Sequence, residues 1–373
     1  MDLISRVDRV VETAIETNKI VGSVTLIGEE GKIIYARTAG WFDREAKVAM
    51  RRDAIFRLAS VTKPIVATTA LAMIERKLIG LEHRVSDYLP GFRPKLKDGT
   101  EGKMLIRHLL THSSGLSYAY PEDKRIDTGL YDFGTGFDEF LERVNAVPLR
   151  FAPGTAWEYG INIDVLGAVI AAVHGGTLEE AVTNYVTKPL GMIDTAFHVV
   201  DRARLAPPYG DGVNGAPPER MGVEAKVISE GNVTTFQPNR IFNAANYQSG
   251  GAGAAGTADD IFRLLETLRI GGGDILRPET VEMATANQIG DLPRRAHDSG
   301  QRFGFVGAVL DDPKAANSPQ GKGTFRWGGV YGHDWSVDPK NGLTILVVTN
   351  TAVEGCTGEY PKLVRNAVYG FKG

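Results

Sequence analysis

Ser60 and Lys63 are the two residues whose types and spacing most directly suggest chemistry. An apolar stretch predicted to be helical follows Ser60, and an i,i+3 spacing places both side chains on one helix face. A serine hydroxyl becomes a nucleophile when a base lies within hydrogen-bonding reach. The amino end of a helix adds N–H groups and a positive dipole end beside a developing anion. Ser60 is the only serine with a lysine three residues later, so there is one candidate nucleophile of this kind.

On its own this spacing also fits a capping serine and a solvated lysine, so the surrounding sequence matters. Four blocks follow one another along the chain: residues 56–63 around Ser60, residues 107–116 (RHLLTHSSGL), residues 153–167 (PGTAWEY, then DVLG) and residues 327–333 (WGGVYGH). Together they resemble the class C β-lactamase and penicillin-binding-protein-like serine hydrolases, and most closely the family VIII carboxylesterases. The resemblance covers essentially the whole chain.

The resemblance implies a catalytic set of three side chains. Ser60 and Lys63 match the family's S-x-x-K element, and Tyr159 matches the tyrosine of its Y-x-N element. The backbone N–H groups of Ser60 and Val330 would form the oxyanion hole. A phenol, with an ordinary pKa of about 10, is a poor base at neutral pH, but a nearby ammonium group favours phenolate. Lys63 and Tyr159 can therefore share one proton, and which of them deprotonates Ser60 stays open.

Two departures from the family pattern favour an ester over a β-lactam as substrate. The Asn of Y-x-N is missing from its usual place after Tyr159, and Asn162 stands one position late. The third family element, K-T-G, falls on Trp327, Gly328 and Gly329. A tryptophan cannot hold a substrate carboxylate as that lysine does, whereas it presents an apolar wall. The resemblance therefore implies the esterase branch, and weak side activity on a lactam is left open.

Side chains close to these motifs are the candidates for substrate binding. We expect Tyr118 and Trp327 to contact the acyl or alcohol half of the substrate, and Gly328 and Gly329 to line the same pocket. His333 follows the third element, and we expect it to be a polar residue near the entrance without a catalytic role.

Two other sequence patterns point to different chemistry, but both are weaker, and one motif of a rival fold is absent. His108 and His112 have a metal-ligand spacing but lack the Glu of H-E-x-x-H, so a role in shaping the turn at 113–115 is favoured over zinc. Residues 251–256 match G-x-G-x-x-G, but no apolar strand precedes them. They predict a tight loop into a helix capped at Thr257 instead of a dinucleotide site. No G-x-S-x-G occurs, which excludes the nucleophile elbow of α/β-hydrolases.

The overall composition excludes several classes of protein. The 373 residues carry a formal net charge of −3, which gives no electrostatic footprint for nucleic acid or an anionic membrane. Cys356 is the only cysteine, so an internal disulfide and a multi-cysteine zinc site are impossible. The first residues mix acids and bases along an amphipathic helix, unlike a signal peptide. No stretch reaches the ~20 apolar residues of a membrane-spanning helix, and we therefore expect a cytoplasmic protein.

The segments that must position these residues are strands at both ends and helices between them. Hydrophobic periodicity predicts an amino-terminal helix over 2–18, a hairpin of 23–27 with 33–38, and a long apolar helix over 61–79. Further helices are predicted in the middle over 137–144, 163–173, 178–185 and 258–268. Strands are predicted near the end over 303–310, 324–327, 334–337 and 343–349, before a closing helix over 360–369.

These elements predict an α/β (α+β) fold of the β-lactamase type. An antiparallel sheet would be flanked by helices, with an inserted all-helical domain. Residues 1–80 and 300–373 would form the discontinuous α/β domain, and residues 81–299 would form the helical domain with its long loops. The active site would lie in the cleft between the two.

The favoured function is that of a serine carboxylesterase, which hydrolyses small carboxylic esters through an acyl-enzyme on Ser60 without metal or cofactor. A β-lactamase, a D-amino acid peptidase or amidase, and an acyltransferase of the same superfamily are the alternatives. A catalytically silent binding protein is more remote, because Ser60, Lys63 and Tyr159 are all intact. The expected partner is a small ester, with no nucleic acid and no membrane. The sequence leaves the natural ester and the oligomeric state open.

Overall fold

The two ends of the chain build one antiparallel sheet. The computed structural model describes residues 2–229, 231–293 and 299–372. Within them, eight strands pair in the order β10-β11-β12-β13-β14-β1-β2-β3. The strands of the structure are β1 Gly22–Glu29, β2 Lys32–Asp43, β3 Val48–Ala49, β4 Ile55–Arg57, β5 Tyr209–Gly210, β6 Glu219–Arg220, β7 Ala225–Ser229, β8 Asn232–Phe236, β9 Ala255–Thr257, β10 Gln301–Phe303, β11 Ala308–Leu310, β12 Phe325–Gly329, β13 His333–Asp338, β14 Leu343–Thr349 and β15 Thr351–Ala352.

Helices cover both faces of this sheet, α2 and α8 on one face and α1 and α11 on the other. Their bounds are α1 Leu3–Glu16, α2 Thr62–Glu75, α3 Val85–Tyr88, α4 Ile106–Leu110, α5 Phe137–Asn145, α6 Asn162–His174, α7 Leu178–Val182, α8 Ala258–Arg269, α9 Pro278–Thr285, α10 Glu354–Thr357 and α11 Glu359–Tyr369. A π-helical turn, Thr183–Thr187, extends α7. Among the described helices, none alone is both long and apolar enough to cross a bilayer. The helices Asn162–His174 and Leu178–Thr187 reach that length and apolar character only when they are taken together, and the chain bends by 81° between them.

Alternation along the central strands sends apolar side chains to both faces of the sheet. Val24 and Leu26 of β1 belong to the large core that also holds α2 and α8. Ile27 belongs instead to a second core beneath α1 and α11. Because successive strand residues point to opposite faces, one strand serves both cores. The predicted antiparallel sheet with flanking helices is thereby confirmed.

Residues 81–299 contain strands as well as helices, so the expectation of an all-helical insert was wrong. β7 and β8 form a ribbon of their own, and β9 pairs with β4 beside the nucleophile. The strands of this segment, β5 to β9, have two to five residues each. Such short strands show no clear alternating pattern among polar loops. Helix α8 packs on the sheet against β1, β13 and β14.

The division of the chain into two domains stays a prediction. Residues 1, 230, 294–298 and 373 lie outside the described part of the chain, and the predicted domain ends include two of them.

The strand predicted over 303–310 is two strands, β10 and β11. Gly304 N donates to Gly307 O at 2.8 Å, which closes a turn between them. A Cβ on Gly304 would lie 2.5 Å from the carbonyl oxygen of Ala284. The chain turns where this close approach requires glycine, and an apolar run alone does not reveal such a turn.

Candidate active site

The serine nucleophile predicted from the sequence lies in a strained turn at the start of α2. Ser60 is part of a 3-10 turn, Ala59–Val61, which continues directly into the helix. Ala59 has a φ of +44° and is fully buried. For a residue with a Cβ, this left-handed conformation costs roughly 1–3 kcal/mol. The surrounding contacts offset that cost and hold the serine at the amino end of the helix.

Three contacts hold the residues that precede Ser60. Leu58 N donates to Ala254 O at 2.9 Å, and the His333 Nε2–H group donates to Arg57 O at 2.8 Å. A Cβ added to Gly329 would lie only 2.3 Å from Leu58 O. Strand β12 therefore approaches the turn closely, and only glycine permits that approach.

The close approach of β12 brings Val330 to the same cavity as Ser60. Within the described part of the chain, the Val330 N–H group donates to no other group. A free backbone donor beside the nucleophile is what an oxyanion hole needs. The assignment of the Ser60 and Val330 N–H groups to that hole stays a prediction that this geometry supports.

Lys63 is buried, with 5% of its surface exposed, and its amino group has three hydrogen-bond partners. Nζ donates to Ser60 Oγ at 3.0 Å, to Tyr118 OH at 3.0 Å and to Gly251 O at 2.8 Å. The partners match the three donors of an ammonium group. Buried charge is tolerated when it is hydrogen-bonded in this way, so the lysine is held against the nucleophile.

Tyr159 also contacts the nucleophile. Its hydroxyl donates to Ser60 Oγ at 2.8 Å and accepts from Trp327 Nε1 at 2.9 Å. The Lys63 Nζ atom lies 4.7 Å from the centre of the Tyr159 ring. Ser60 Oγ is therefore within hydrogen-bond distance of both groups that the sequence named as candidate bases.

Trp327 makes a polar contact that the sequence did not predict. Its ring packs beside Trp157 and Phe303, while its N–H group holds the Tyr159 oxygen toward Ser60. Trp327, Gly328 and Gly329 are absent from the described residues that line the cavity. Their predicted contact with substrate stays a prediction, whereas Tyr118 does line the cavity.

Tyr118 is the second phenol at the site, and its environment differs from that of a base. Burial, followed by the nearby Tyr159 and Asp164, raises the pKa of Tyr118 well above its ordinary value. Tyr118 therefore stays a neutral phenol at neutral pH, and its oxygen accepts from Lys63. The assignment of Lys63 and Tyr159 as the proton-sharing pair stays a prediction.

The two histidines that raised the question of a metal have structural partners. His112 Nδ1 accepts from Gly160 N at 3.3 Å and faces Asn162 Nδ2 at 2.9 Å. Burial, together with the Lys63 ammonium group, lowers the pKa of His112 well below its usual range. His108 Nδ1 accepts from Leu105 N at the start of α4. Over residues 2–229, 231–293 and 299–372, no cluster of metal-binding side chains occurs.

The glycine run supplies a contact to Lys63 that sequence reasoning missed. Gly251 O accepts from Lys63, while Gly251 N donates to Asp164 Oδ1 at 3.2 Å. Ser249 Oγ also donates to Asp164 Oδ1, at 2.5 Å. The buried carboxylate thus fixes the loop that presents an acceptor to the lysine. Thr257 caps α8 as predicted, accepting from Asp260 N. The signal for this role was the position of Asp164 just after Tyr159.

A cavity of about 320 Å³ opens beside Ser60. Tyr118, Tyr159 and Val330 line it near the nucleophile, together with Ala59 and Ala252. The rest of its wall comes from two segments: Thr128, Leu130 and Tyr131 of one loop, and Val233, Thr234 and Thr235 of β8. None of these side chains carries a formal charge, so the cavity suits a neutral molecule.

His333 provides a test of how the sheet holds the nucleophile turn. Burial lowers its pKa to about 4, while the unfolded chain takes up a proton near the ordinary value of about 6.5. The stability that neutral His333 contributes is therefore present above pH 6.5 and is lost as the pH falls toward 4. We expect wild type to lose about 1.4 kcal/mol per pH unit from this group across that window.

The pH dependence of wild-type stability is compared with that of the His333→Gln variant, whose side-chain amide can still donate to Arg57 O. The free energy of unfolding, measured in urea between pH 7.5 and pH 5, should fall more steeply for wild type by about 2 kcal/mol in total. Parallel curves for the two proteins would contradict this account of His333.

The chain matches one known protein family, and it is similar to characterised relatives and solved structures. A family model described as Beta-lactamase matches residues 7–368. Esterase EstB of Burkholderia gladioli is 42% identical over 375 residues, which cover 98% of this chain and 95% of that protein. The solved structure of EstCE1, described as a hydrolase with promiscuous acyltransferase activity, superimposes with a TM-score of 0.93. It is 39% identical and covers 99% of this chain and 98% of its own.

A more distant structure shows how widely the fold is shared. D-amino acid amidase from Ochrobactrum anthropi superimposes with a TM-score of 0.74 at 19% identity, covering 99% of both chains. At that identity the likeness concerns the fold alone. The family match, by contrast, spans every residue that builds the site around Ser60, and it confirms the resemblance noted in the sequence. This chain belongs to the β-lactamase family of serine hydrolases.

Proposed function

We propose that this protein is a serine carboxylesterase that hydrolyses small, uncharged carboxylic esters through an acyl-enzyme on Ser60. One observation carries the proposal. Ser60 Oγ lies 3.0 Å from Lys63 Nζ and 2.8 Å from Tyr159 OH, beside a cavity whose lining side chains have no formal charge. The similarity to EstB over nearly the whole chain supports the same substrate class.

In the proposed acylation step, Ser60 Oγ attacks the ester carbonyl carbon. Its proton passes to the Lys63–Tyr159 pair, whose members both contact the oxygen. To accept it, the pair must hold one proton fewer than an ammonium and a phenol together, so one member reacts as a neutral amine or a phenolate. The N–H groups of Ser60 and Val330 stabilise the negative oxygen of the tetrahedral intermediate, and losing one such donor typically costs about 10²–10³-fold in turnover. The C–O bond then breaks, and the alcohol leaves with a proton returned through Tyr159.

In the proposed deacylation step, water attacks the acyl-enzyme by the reverse route. The Lys63–Tyr159 pair takes the proton from water, the second tetrahedral intermediate collapses, and Ser60 Oγ recovers its proton as the acid is released. Trp327 acts here through Tyr159, because its N–H group keeps the phenol oxygen directed at Ser60.

A second candidate is transfer of the acyl group to an alcohol in place of water. The structural neighbour EstCE1 is described as having promiscuous acyltransferase activity and is 39% identical. The two functions share the same acyl-enzyme and differ only in the acceptor. The prediction of a cytoplasmic location, without nucleic-acid or membrane partners, stays a prediction from the sequence.

We expect the kcat/KM for p-nitrophenyl esters to be roughly 10²–10⁴-fold higher than the kcat/KM for a chromogenic cephalosporin. A cephalosporin carries a carboxylate, and leaving that charge without a cation in the cavity is costly. The measurement is initial rates on acetate and butyrate esters, the cephalosporin and a D-amino acid amide, with Ser60→Ala as the background. Added alcohol, with product esters measured by chromatography, separates transfer from hydrolysis. A preference for the cephalosporin or the amide would refute the carboxylesterase assignment.

A further inference from the structure

The ribbon of β7 and β8 has one buried face and one exposed face. Val227 and Phe236 pack into a core with Ala59 and Tyr331, which fixes the ribbon beside the nucleophile turn. Ile228 pairs directly with Val233 across the two strands. Residues directly opposite in an antiparallel pair point to the same side, so Ile228 and Val233 share the face that is not packed on the core.

On that exposed face, Ile228 and Val233 form an apolar pair next to the catalytic cavity, and Lys226 and Thr235 form the neighbouring polar pair. Val233 is 59% exposed and Ile228 is 52% exposed, although both are large apolar side chains. Val233, Thr234 and Thr235 also form part of the cavity wall. Single exposed apolar residues are common, but here two are adjacent, and one of them borders the space beside Ser60.

The opposite wall of the cavity is held in place by buried polar contacts. Asp127 Oδ1 accepts from Gly129 N at 2.7 Å and from Tyr131 N at 3.3 Å. Gln237 N, just after β8, donates to Leu130 O at 3.0 Å. The loop and the ribbon are therefore joined at one end, and the cavity between them is a slot whose two sides combine apolar side chains with threonines.

We propose that Val233 and Ile228 form a subsite for the alkyl chain of the ester substrate, so that this ribbon sets the preferred chain length. The inference rests on the proposed esterase function and specifies its substrate class: esters whose chain is long enough to pass from Ser60 along the slot onto the ribbon. The chain covers Val233 first and Ile228 next, because Val233 borders the cavity and Ile228 lies across the ribbon from it. Removing these methyl groups from water drives the binding.

An alternative explanation for the apolar pair is that it stabilises the ribbon itself. Cross-strand apolar pairs do contribute to sheet stability. Such a role would change melting temperature and the activity on all esters alike. A subsite would instead change only the dependence of activity on chain length, so the two explanations predict different results.

The experiment uses two series of esters on the full-length protein. In p-nitrophenyl alkanoates, from acetate to decanoate, the acyl chain grows; in alkyl acetates, from ethyl to octyl, the alcohol chain grows. The variants are Val233→Thr and Ile228→Thr. Threonine keeps the β-branching and the strand propensity of both residues. It replaces a methyl group of Val233 with a hydroxyl, and at Ile228 it also removes the terminal methyl group. Val48→Thr is the matched control, since Val48 is an exposed strand residue that does not line the cavity.

For wild type, we expect kcat/KM to rise with chain length in one of the two series, which identifies the half of the ester that occupies the ribbon. In Val233→Thr and Ile228→Thr, the ratio of long-chain to short-chain kcat/KM should fall roughly threefold to tenfold. The acetate rate of Ile228→Thr and the melting temperatures of both variants should stay near wild type, and Val48→Thr should match wild type throughout.

Equal slopes in wild type and both variants, or a uniform loss at every chain length, would overturn the subsite. So would a wild type without any dependence on chain length. A wild-type protein that cleaves no ester at all would instead refute the esterase function on which the inference rests.

Discussion

Replacing Ser60 with alanine should abolish the covalent adduct of a fluorophosphonate and lower kcat/KM for p-nitrophenyl butyrate by about 10⁴–10⁶-fold. Ser60 Oγ contacts both Lys63 Nζ and Tyr159 OH. Alanine removes the hydroxyl oxygen that could attack a substrate and leaves the turn otherwise intact. Residual rate would come from binding and the oxyanion donors alone.

The adduct is measured by intact-protein mass after brief exposure of the folded protein to the reagent. Wild type should gain the mass of one adduct and Ser60→Ala none. Ser5→Ala, which changes an exposed serine of α1, is the matched control and should label like wild type. Persistent labelling of Ser60→Ala would place the nucleophile elsewhere. An unlabelled wild type would contradict the hydrolase mechanism and favour a silent binding protein.

The second large effect is expected for Tyr159→Phe, and it depends on the leaving group. Phenylalanine removes the oxygen that lies between Trp327 Nε1 and Ser60 Oγ. We expect kcat/KM for p-nitrophenyl acetate to fall about 10²-fold and that for ethyl acetate a further tenfold or more. Nitrophenolate is a weak base and leaves without a proton, whereas ethoxide requires one from an acid.

Lys63→Met is the comparison that separates the two roles. Methionine fills the buried volume of the lysine without its charge or its hydrogen bonds to Tyr118 and Gly251. If Lys63 serves mainly to activate Ser60, its loss should slow both esters by a similar factor of about 10³–10⁴. The rates are measured by pH-stat for ethyl acetate and by absorbance for the nitrophenyl ester. Equal losses of the two esters in Tyr159→Phe would contradict its role as the acid for the leaving alcohol.

Local patterns in the sequence were reliable where a whole element expressed one period. The amino-terminal helix was expected over residues 2–18 and extends from Leu3 to Glu16. The first hairpin and the last two strands also lie where they were predicted. The helix buries one regular stripe, whereas β1, β13 and β14 are buried on both faces and appear in the sequence as short apolar runs between turn residues.

Hydrophobic periodicity predicted the segments around the candidate site less well. The ribbon of β7 and β8 lies in a part of the chain that was predicted to contain helices and long loops. Its strands have five residues each and carry apolar and polar residues on both faces, so they show no clear alternation. Ala59 adopts a positive φ that its residue type does not favour. Such strain is imposed by packing from distant segments, so no local propensity predicts it.

The sequence by itself was enough to predict the candidate catalytic set. Ser60 and Lys63 are one helical turn apart, so their contact follows from local geometry, and the order of the surrounding blocks added Tyr159. The tertiary structure alone decided what surrounds them. Tyr118 and Gly251 lie 55 and 188 residues from Lys63, and Trp327 lies 168 residues from Tyr159. Contacts across such separations depend on how strands and loops pack together, and that packing is a property of the whole fold, absent from any local stretch of the chain.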